Sequence, residues 1–211
     1  MPLLELELSI EEVELAPDVH EFVLEALRRV TEFSQHKPDR MSGFIPCGFQ
    51  TVAKAVQTIR DQQLAPGRLF CEWGSGFGAI ASLAAILGFD ASGIEIDPML
   101  VDEARQLARD FNLSPEFIHG SFIPQGGEHH TEYANDDFYW LVTESDSAYD
   151  ELGLGPDDFD LIFAYPWPGE ERVVEVLFEE FAAQGALLLT YNQFDAVRLR
   201  RKVSNRSRNN Y

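Results

Sequence analysis

The run LFCEWGSGFG at residues 69–78 decides the fold predicted for this chain. A short, mostly apolar segment leads into three glycines at alternate positions, and the stretch AIASLAAILG at 79–88 then has the composition of a helix. Glycine permits positive φ angles and lets a ligand approach the backbone, and a helix start offers N–H groups without partners inside the helix. The run therefore predicts a strand, a glycine turn and a helix, with a ligand site at the turn.

Strand and helix patterns alternate from this turn to residue 191. Short apolar runs typical of strands lie at 91–97, 115–122, 158–165 and 185–191. Amphipathic patterns typical of helices lie at 97–111 and 169–183. This alternation predicts an α/β protein with a doubly wound, mostly parallel sheet, helices on both faces, and ligands outside the carboxyl ends of the strands.

The segment before residue 67 has a different pattern. Apolar and polar residues alternate from Leu4 to Ile10, which favours a half-buried strand, with a helix as the alternative. Helical patterns begin at Pro17 and cover 49–64. The short strand is also a candidate for pairing between chains, so the sequence leaves the oligomeric state open.

Three parts of the chain are expected from these patterns. They are an N-terminal strand and helical extension packed on the core over 1–66, the sheet domain over 67–203, and a disordered basic tail over 204–211.

Composition excludes several classes of function. The chain has 211 residues, 36 acidic against 16 basic, and a formal net charge of −20. Such a charge argues against a general nucleic-acid binder or a protein of anionic membranes. Two cysteines suggest no disulfide framework, and the sequence lacks both a signal-peptide pattern and a long apolar run, so a cytoplasmic protein without membrane contact is expected.

The charge is distributed unevenly. Six basic residues lie after Val197, so residues 1–197 carry −26 and the rest +6. The interval 110–171 has 15 acidic residues and no lysine or arginine. Its part between the predicted strands at 115–122 and 158–165 is expected to lie over the carboxyl edge of the sheet. A cationic partner at that edge is therefore favoured.

Two acids sharpen the prediction for the glycine turn. The spacing is GxGxG rather than the GxGxxG of dinucleotide-binding folds, and Glu72 ends the strand before it. A carboxylate there would repel a diphosphate and attract a cation. Glu95 ends the next strand, where an acid can accept both hydroxyls of a ribose. A nicotinamide oxidoreductase is accordingly disfavoured.

With these motifs, residues 67–191 resemble the class I S-adenosylmethionine-dependent methyltransferases, which have a Rossmann-like sheet. The resemblance implies S-adenosyl-L-methionine as cofactor, Glu72 with the glycines near its methionine end, and Glu95 at its ribose. His119 and the three residues after it fall where the family contacts adenine. The implied cofactor-binding residues are Glu72, Gly74, Ser75, Gly76, Gly78, Glu95, Ile96, Gly120, Ser121 and Phe122.

The resemblance also places the methyl acceptor beside the segment 163–171. Amino methyltransferases often have a polar residue, two prolines and an aromatic residue here, but Ala164 takes the polar position. The tRNA guanine-N7 methyltransferases have Pro-Asp-Pro-Trp-Pro, and Tyr165 takes the aspartate position. We expect Tyr165 and Trp167 to be the catalytic residues, as an aromatic cage around a cationic or planar acceptor; the alternative is that they only close the sheet edge.

The resulting hypothesis is a methyltransferase for an amine-bearing or cationic acceptor, either a protein lysine or a small molecule. The alternative is a cofactor-binding module or partner subunit without catalysis, because the polar residue is absent and the family's last helix and pair of strands are cut short after 191.

The segment 44–48 is a candidate lid over the cofactor, with a plain loop as the alternative. The adjacent His129 and His130 lie in a polar loop, and no metal is expected there.

Overall fold

The computed structural model describes residues 3–36, 46–133 and 148–204, and side chains 131–133 are outside the description. The helices are α1 (Pro17–His36), α2 (Phe49–Asp61), α3 (Ala79–Ile86), α4 (Pro98–Asp110), α5 (Ala148–Leu152) and α6 (Glu171–Phe181). The strands are β1 (Leu3–Leu6), β2 (Leu69–Trp73), β3 (Asp90–Glu95), β4 (Glu116–His119), β5 (Leu161–Ala164), β6 (Leu187–Tyr191) and β7 (Val197–Lys202). A 3-10 helix covers Glu128–Tyr133.

The described strands form one seven-stranded sheet in the order β1-β7-β6-β5-β2-β3-β4. Strands β2 to β6 are parallel to their neighbours within that group, and β7 is antiparallel to both β6 and β1. The predicted mostly parallel, doubly wound α/β sheet is therefore confirmed. Strand β7 follows β6 through the turn 192–196, without the helix that the resemblance implies at this point.

Hydrophobic residues of β5 alternate between the two faces of the sheet. Leu161 and Phe163 belong to a core shared with α1, α2, α3 and α4, whereas Ile162 and Ala164 belong to a core shared with α5 and α6. Helices therefore cover both faces, as a parallel sheet requires.

The N-terminal strand β1 completes the sheet beside β7. The pairs run from Leu3 with Lys202 to Leu6 with Leu199, so this strand pairs within the chain. The apolar alternation continues to Ile10, but pairing stops at Leu6, and Ile10 instead packs against the core. The extension is thus a structural part of the sheet, while the division at residue 66 stays a prediction.

Other element ends also differ from the sequence expectations. Helix α2 ends at Asp61 rather than at residue 64, because Gln63 takes a left-handed φ of 52°. Helix α4 begins as predicted: the side chain of Asp97 accepts a hydrogen bond from Met99 N at 2.8 Å, and Pro98 is the first helical residue.

No described helix has the length and apolarity that crossing a membrane requires.

The basic residues after Val197 are largely structural. Arg200, 4% exposed, pairs with Glu175 of α6, and Arg198 pairs on the surface with Glu5 of β1 at 2.6 Å. The ammonium of Lys202 donates to Glu180 O at 3.2 Å and to Ala182 O, at the carboxyl end of α6. The predicted tail beyond Ser204 lies outside the described residues.

The pair that includes the buried Arg200 is expected to matter more than the exposed pair on the same strand. Arg200→Met removes the partner that lies nearest to Glu175, whose side chain is 23% exposed and keeps Arg172 and Arg198 at 3.7 Å, so the free energy of unfolding should fall by about 1–3 kcal/mol. Arg198→Met should cost less than about 1 kcal/mol, because solvent screens the exposed pair. Urea denaturation measures both.

A double variant serves as the control. Arg200→Met with Glu175→Met leaves no uncompensated charge, so most of the lost stability should return. Equal losses in Arg200→Met and Arg198→Met would contradict this description of β7.

Candidate active site

The glycine turn is fixed to the end of β3 by backbone hydrogen bonds. Gly74 N and Ser75 N both donate to Ile94 O, at 3.0 and 2.9 Å. Gly78 N then donates to Ser75 O at 2.7 Å, which closes the turn before α3. The sequence predicted this turn correctly, and β3 determines its shape.

Two glycines of the turn have different roles. Both have left-handed φ angles, 71° at Gly74 and 63° at Gly78. A Cβ at Gly78 would lie 2.3 Å from Cε1 of Phe117, so packing excludes any side chain there. A Cβ at Gly74 would meet no atom of the described residues within 4 Å. The backbone of Gly74 therefore faces open space, where a ligand can approach it.

Glu95 holds the turn from the neighbouring strand. Its carboxylate is 8% exposed and accepts hydrogen bonds from Gly76 N at 2.7 Å and Asp97 N at 2.9 Å. Burial raises the pKa of Glu95, and the backbone donors partly oppose that rise. Each carboxylate oxygen has a second lone pair, so both can still accept a ligand hydroxyl.

Glu72 supports the start of α3. Gly78 has no side chain with which to cap this helix, and the Glu72 carboxylate accepts the hydrogen bond of Ala81 N at 2.8 Å instead. Burial raises the pKa of Glu72 well above its usual value, and nearby Glu95 raises it further. The group is thus a buried acid that a cation in the site would stabilise in its charged form.

A small cavity adjoins Glu72 at the carboxyl edge of the sheet. Its walls are Pro46, Cys47, Phe49, Glu72, Gly74, Ser75, Phe77, Ala79, Phe163 and Tyr165. It encloses about 30 Å³, which is room for a water-sized group and not for a nucleoside. The hydroxyl of Ser75 is buried there without a hydrogen-bond partner among the described residues.

The cavity brings together residues from distant parts of the sequence. Pro46 and Cys47 belong to the predicted lid, and they lie in its wall; Phe44 and Ile45 are outside the described residues. Cys47 is a buried packing residue, and burial raises the pKa of its thiol.

The residues expected near adenine lie at the end of β4. Gly120 N donates to Glu95 O at 2.9 Å, and a ring nitrogen of His119 lies 2.9 Å from Ile96 O. The hydroxyl of Ser121 accepts a hydrogen bond from Ile123 N at 3.2 Å. Ser121 therefore stabilises its own turn, and Ile96 and Gly120 offer backbone groups beside Glu95.

Phe122 lies on the other side of that turn. Its ring stacks on Trp73 with centroids 5.3 Å apart, within the core below α6. The sequence could not distinguish this packing role from the ligand contact implied by the resemblance, and its contact with a cofactor stays a prediction.

The two aromatic residues expected at the acceptor are placed differently. Tyr165 lines the cavity and meets Tyr191 edge to face, with centroids 5.0 Å apart. Trp167 lies in the turn before α6, where its backbone N–H donates to Glu170 Oε2 at 3.1 Å. The aromatic cage stays a prediction, since Tyr165 and not Trp167 lines this cavity.

Glu170 is a further acid at this edge. It is 5% exposed, and its second oxygen, Oε1, is buried and accepts no hydrogen bond from the part of the chain that the structure describes. Burial raises the pKa of its carboxyl. The carboxylate is thus available to a hydrogen-bond donor or a proton.

A polar cluster that sequence reasoning missed braces this side. Asp195 Oδ1 accepts hydrogen bonds from the Tyr191 hydroxyl at 2.7 Å and from Thr51 Oγ1 at 3.0 Å. Burial and the adjacent Asp195 raise the pKa of Tyr191 to about 12. No sequence signal relates Thr51 to Asp195, because only the fold brings them together.

The fold has counterparts among solved structures. A methyltransferase from Geobacter sulfurreducens superposes with a TM-score of 0.56 at 14% identity, over 92% of this chain and 93% of that one. An RNA methyltransferase from Salinibacter ruber, crystallised with S-adenosyl-L-homocysteine, gives a TM-score of 0.52 at 18% identity, over 76% and 95% of the two chains.

Sequence comparison is less extensive. No family model matches the chain. The ribosomal protein L11 methyltransferase of Thermus thermophilus is 37% identical over 72 residues, which is 34% of this chain and 28% of that protein. The match therefore spans about a quarter of that protein's length.

Fold and glycine turn together define the structural class. The chain has the fold of the class I S-adenosylmethionine-dependent methyltransferases, as its motifs predicted.

The buried acid Glu72 should make stability depend on pH. Its raised pKa means that the folded state prefers the neutral acid, whereas the unfolded chain ionises near 4.5. As pH rises from about 4.5 towards the raised pKa, the free energy of unfolding of the wild type should fall relative to that of Glu72→Gln. Urea denaturation from about pH 4 to 8 measures this difference.

The glutamine keeps an oxygen that can accept the hydrogen bond of Ala81 N, so the charge alone changes. Glu116→Gln, at an exposed acid, is the matched control and should follow the wild type. If the free energies of unfolding of wild type and Glu72→Gln changed in parallel with pH over the whole range, Glu72 would ionise as freely in the folded protein as in the unfolded chain.

Proposed function

We propose that this chain binds S-adenosyl-L-methionine at the glycine turn and transfers its methyl group to an amine-bearing or otherwise cationic acceptor, in a protein or a small molecule. The observation that carries the proposal is the pair of buried carboxylates, Glu72 and Glu95, that end neighbouring strands on either side of an open glycine backbone.

The residues present fit this cofactor. Glu95 has lone pairs left for the two ribose hydroxyls, and a Cβ built at Gly74 has no described neighbour within 4 Å. The inner cavity offers the Glu72 carboxylate and the unpartnered hydroxyl of Ser75, which suit a small cationic group. The same acids disfavour the diphosphate of a dinucleotide.

When bound, the cofactor would supply an electrophilic methyl carbon on a sulfonium, and in-line transfer of that methyl group would leave the neutral thioether S-adenosyl-L-homocysteine. The protein then contributes mainly position, which in favourable geometry is worth up to about 7–11 kcal/mol. In this proposal Tyr165 forms one wall of the acceptor site. The ring of Tyr191 packs against it edge to face, and the Tyr191 hydroxyl donates a hydrogen bond to Asp195. A cation held over such a ring gains about 0.5–2 kcal/mol.

An ammonium acceptor must lose a proton before it can attack. Glu170 suits this step in the proposal, because its Oε1 has no described partner and its raised pKa makes the carboxylate a better proton acceptor. Burial also raises the pKa of the Tyr165 hydroxyl, which therefore stays protonated and does not act as the base.

Charge supports a cationic acceptor over a nucleic acid. Residues 1–204, with the basic residues of β7 included, carry −22, and a phosphate backbone would meet that field at the acceptor edge. The Salinibacter protein is an RNA methyltransferase by name, but its similarity to this chain is one of fold. The Thermus relative is named for a ribosomal protein, which agrees with a protein as acceptor.

A matched pair of glycine variants tests cofactor binding. Gly74→Ala and Gly88→Ala both place alanine at positive φ, 71° and 87°, with no described atom within 4 Å of the new methyl. Each should lose about 1–2 kcal/mol of stability from backbone strain. Only Gly74→Ala obstructs the site, so it should bind S-adenosyl-L-homocysteine at least tenfold more weakly in calorimetry.

Gly88 follows α3 and is remote from the turn, so Gly88→Ala should bind like the wild type. Equal affinity in the two variants would mean that the open face of Gly74 is not where the cofactor lies.

Transfer of a radiolabelled methyl group tests the acceptor. Incubated with separate basic-protein, acidic-protein and RNA fractions, the protein should label the basic-protein fraction most. Tyr165→Phe should keep most of this transfer because the ring remains, whereas Tyr165→Ala should lose at least tenfold. Preferential labelling of RNA or of acidic proteins would overturn the proposed acceptor class.

A second candidate function is a cofactor-binding module without catalysis. The observation in its favour is Ala164, which is 2% exposed and offers no polar side chain at the end of β5. This function would be supported by tight cofactor binding with no labelled product in any fraction. Replacing Tyr165 or Trp167 would then leave the affinity for the cofactor unchanged.

A further inference from the structure

Two adjacent histidines and a distant glutamate meet on the outer side of α6. A ring nitrogen of His130, Nε2, lies 2.6 Å from Glu180 Oε2, and the rings of His129 and His130 are 3.8 Å apart. One ligand atom of each of the three residues lies within 4.8 Å of the other two. The sequence prediction of no metal here could not take Glu180 into account, because Glu180 is 50 residues from His130 along the chain.

The state of His130 points to a ligand. Its side chain is about nine-tenths buried, and Nδ1 has no hydrogen-bond partner within the described ranges. No described residue therefore fixes the tautomer of the ring through Nδ1. The ring can carry its proton on one nitrogen and offer the lone pair of the other nitrogen to a metal ion. His129 and Glu180 are exposed, so their side chains can rotate towards a common ion.

We propose that His129, His130 and Glu180 bind a divalent first-row transition ion such as Zn²⁺, with water completing the coordination. Two imidazoles and one carboxylate are ligands that zinc accepts at roughly 2.0–2.2 Å, whereas Mg²⁺ and Ca²⁺ prefer all-oxygen sites. Ligand atoms at those distances from a tetrahedral ion lie roughly 3.3 Å apart, so the 2.6 Å contact between His130 and Glu180 must open slightly as the two exposed side chains rotate.

Position gives the ion a structural role. Glu180 is the last but one residue of α6, which begins at Glu171 beside the acceptor edge. At 1.5 Å per residue, Glu180 lies roughly 13 Å along the helix from that edge. The ion therefore ties the 3-10 helix Glu128–Tyr133 to α6 and does not reach the methyl-transfer site.

Zinc titration of untagged, chelator-treated protein against a chromophoric competitor tests the proposal. The wild type should bind one Zn²⁺ with micromolar or tighter affinity, and both His129→Ala and Glu180→Gln should weaken binding at least tenfold. These variants change exposed side chains, so folding should be preserved. Zn²⁺ should also raise the melting temperature of the wild type and not of the two variants.

The controls are Glu179→Gln, which changes the neighbouring acid, and His20→Ala, which removes an exposed histidine of α1. Both should bind like the wild type. Failure of the wild type to bind stoichiometric Zn²⁺, or equal affinity in all variants, would overturn the proposal.

Discussion

The carboxylate of Glu95 is the constraint on which the site depends. It joins the glycine turn to the start of α4 by accepting hydrogen bonds from Gly76 N and Asp97 N. Its direction follows from the register of β2 with β3, in which Trp73 is paired with Ile94. A slip of one residue would turn Glu95 to the opposite face. The parallel pairing of two short strands thus determines both the shape of the turn and the position of the acid offered to a ligand.

The outer strands of the sheet come from two distant parts of the sequence. Among the described strands only β7 follows β6, and the N-terminal strand β1 takes the edge position beside it. Four of the six basic residues after Val197 lie in β7 itself, where they neutralise acids of β1 and α6 or meet backbone carbonyls. Burial lowers the pKa of Lys202, whose ammonium nevertheless complements the negative end of the α6 dipole. Most of the basic residues after Val197 therefore belong to the sheet.

Local patterns predicted the elements around the glycine turn, since strand, turn and helix signals are each read over a few residues. Contacts between distant residues could not be predicted in this way. Nothing in the sequence relates Thr51 to Asp195 or His130 to Glu180, and these pairs arise only from packing of separate elements. Phe122 illustrates the same limit, because an aromatic residue after a strand suits a ligand contact as well as stacking on Trp73. The acceptor side was harder to predict than the cofactor side, because Ala164 has no polar side chain that would indicate the acceptor.

The central claim is that the two buried acids select S-adenosyl-L-methionine over a dinucleotide. Isothermal titration calorimetry with S-adenosyl-L-methionine, S-adenosyl-L-homocysteine and NAD, each on the wild type and on Glu95→Ala, tests it most directly. We expect both adenosyl ligands to bind the wild type at one site, Glu95→Ala to weaken both at least tenfold, and NAD not to bind. Binding of NAD without binding of either adenosyl ligand would contradict the claim.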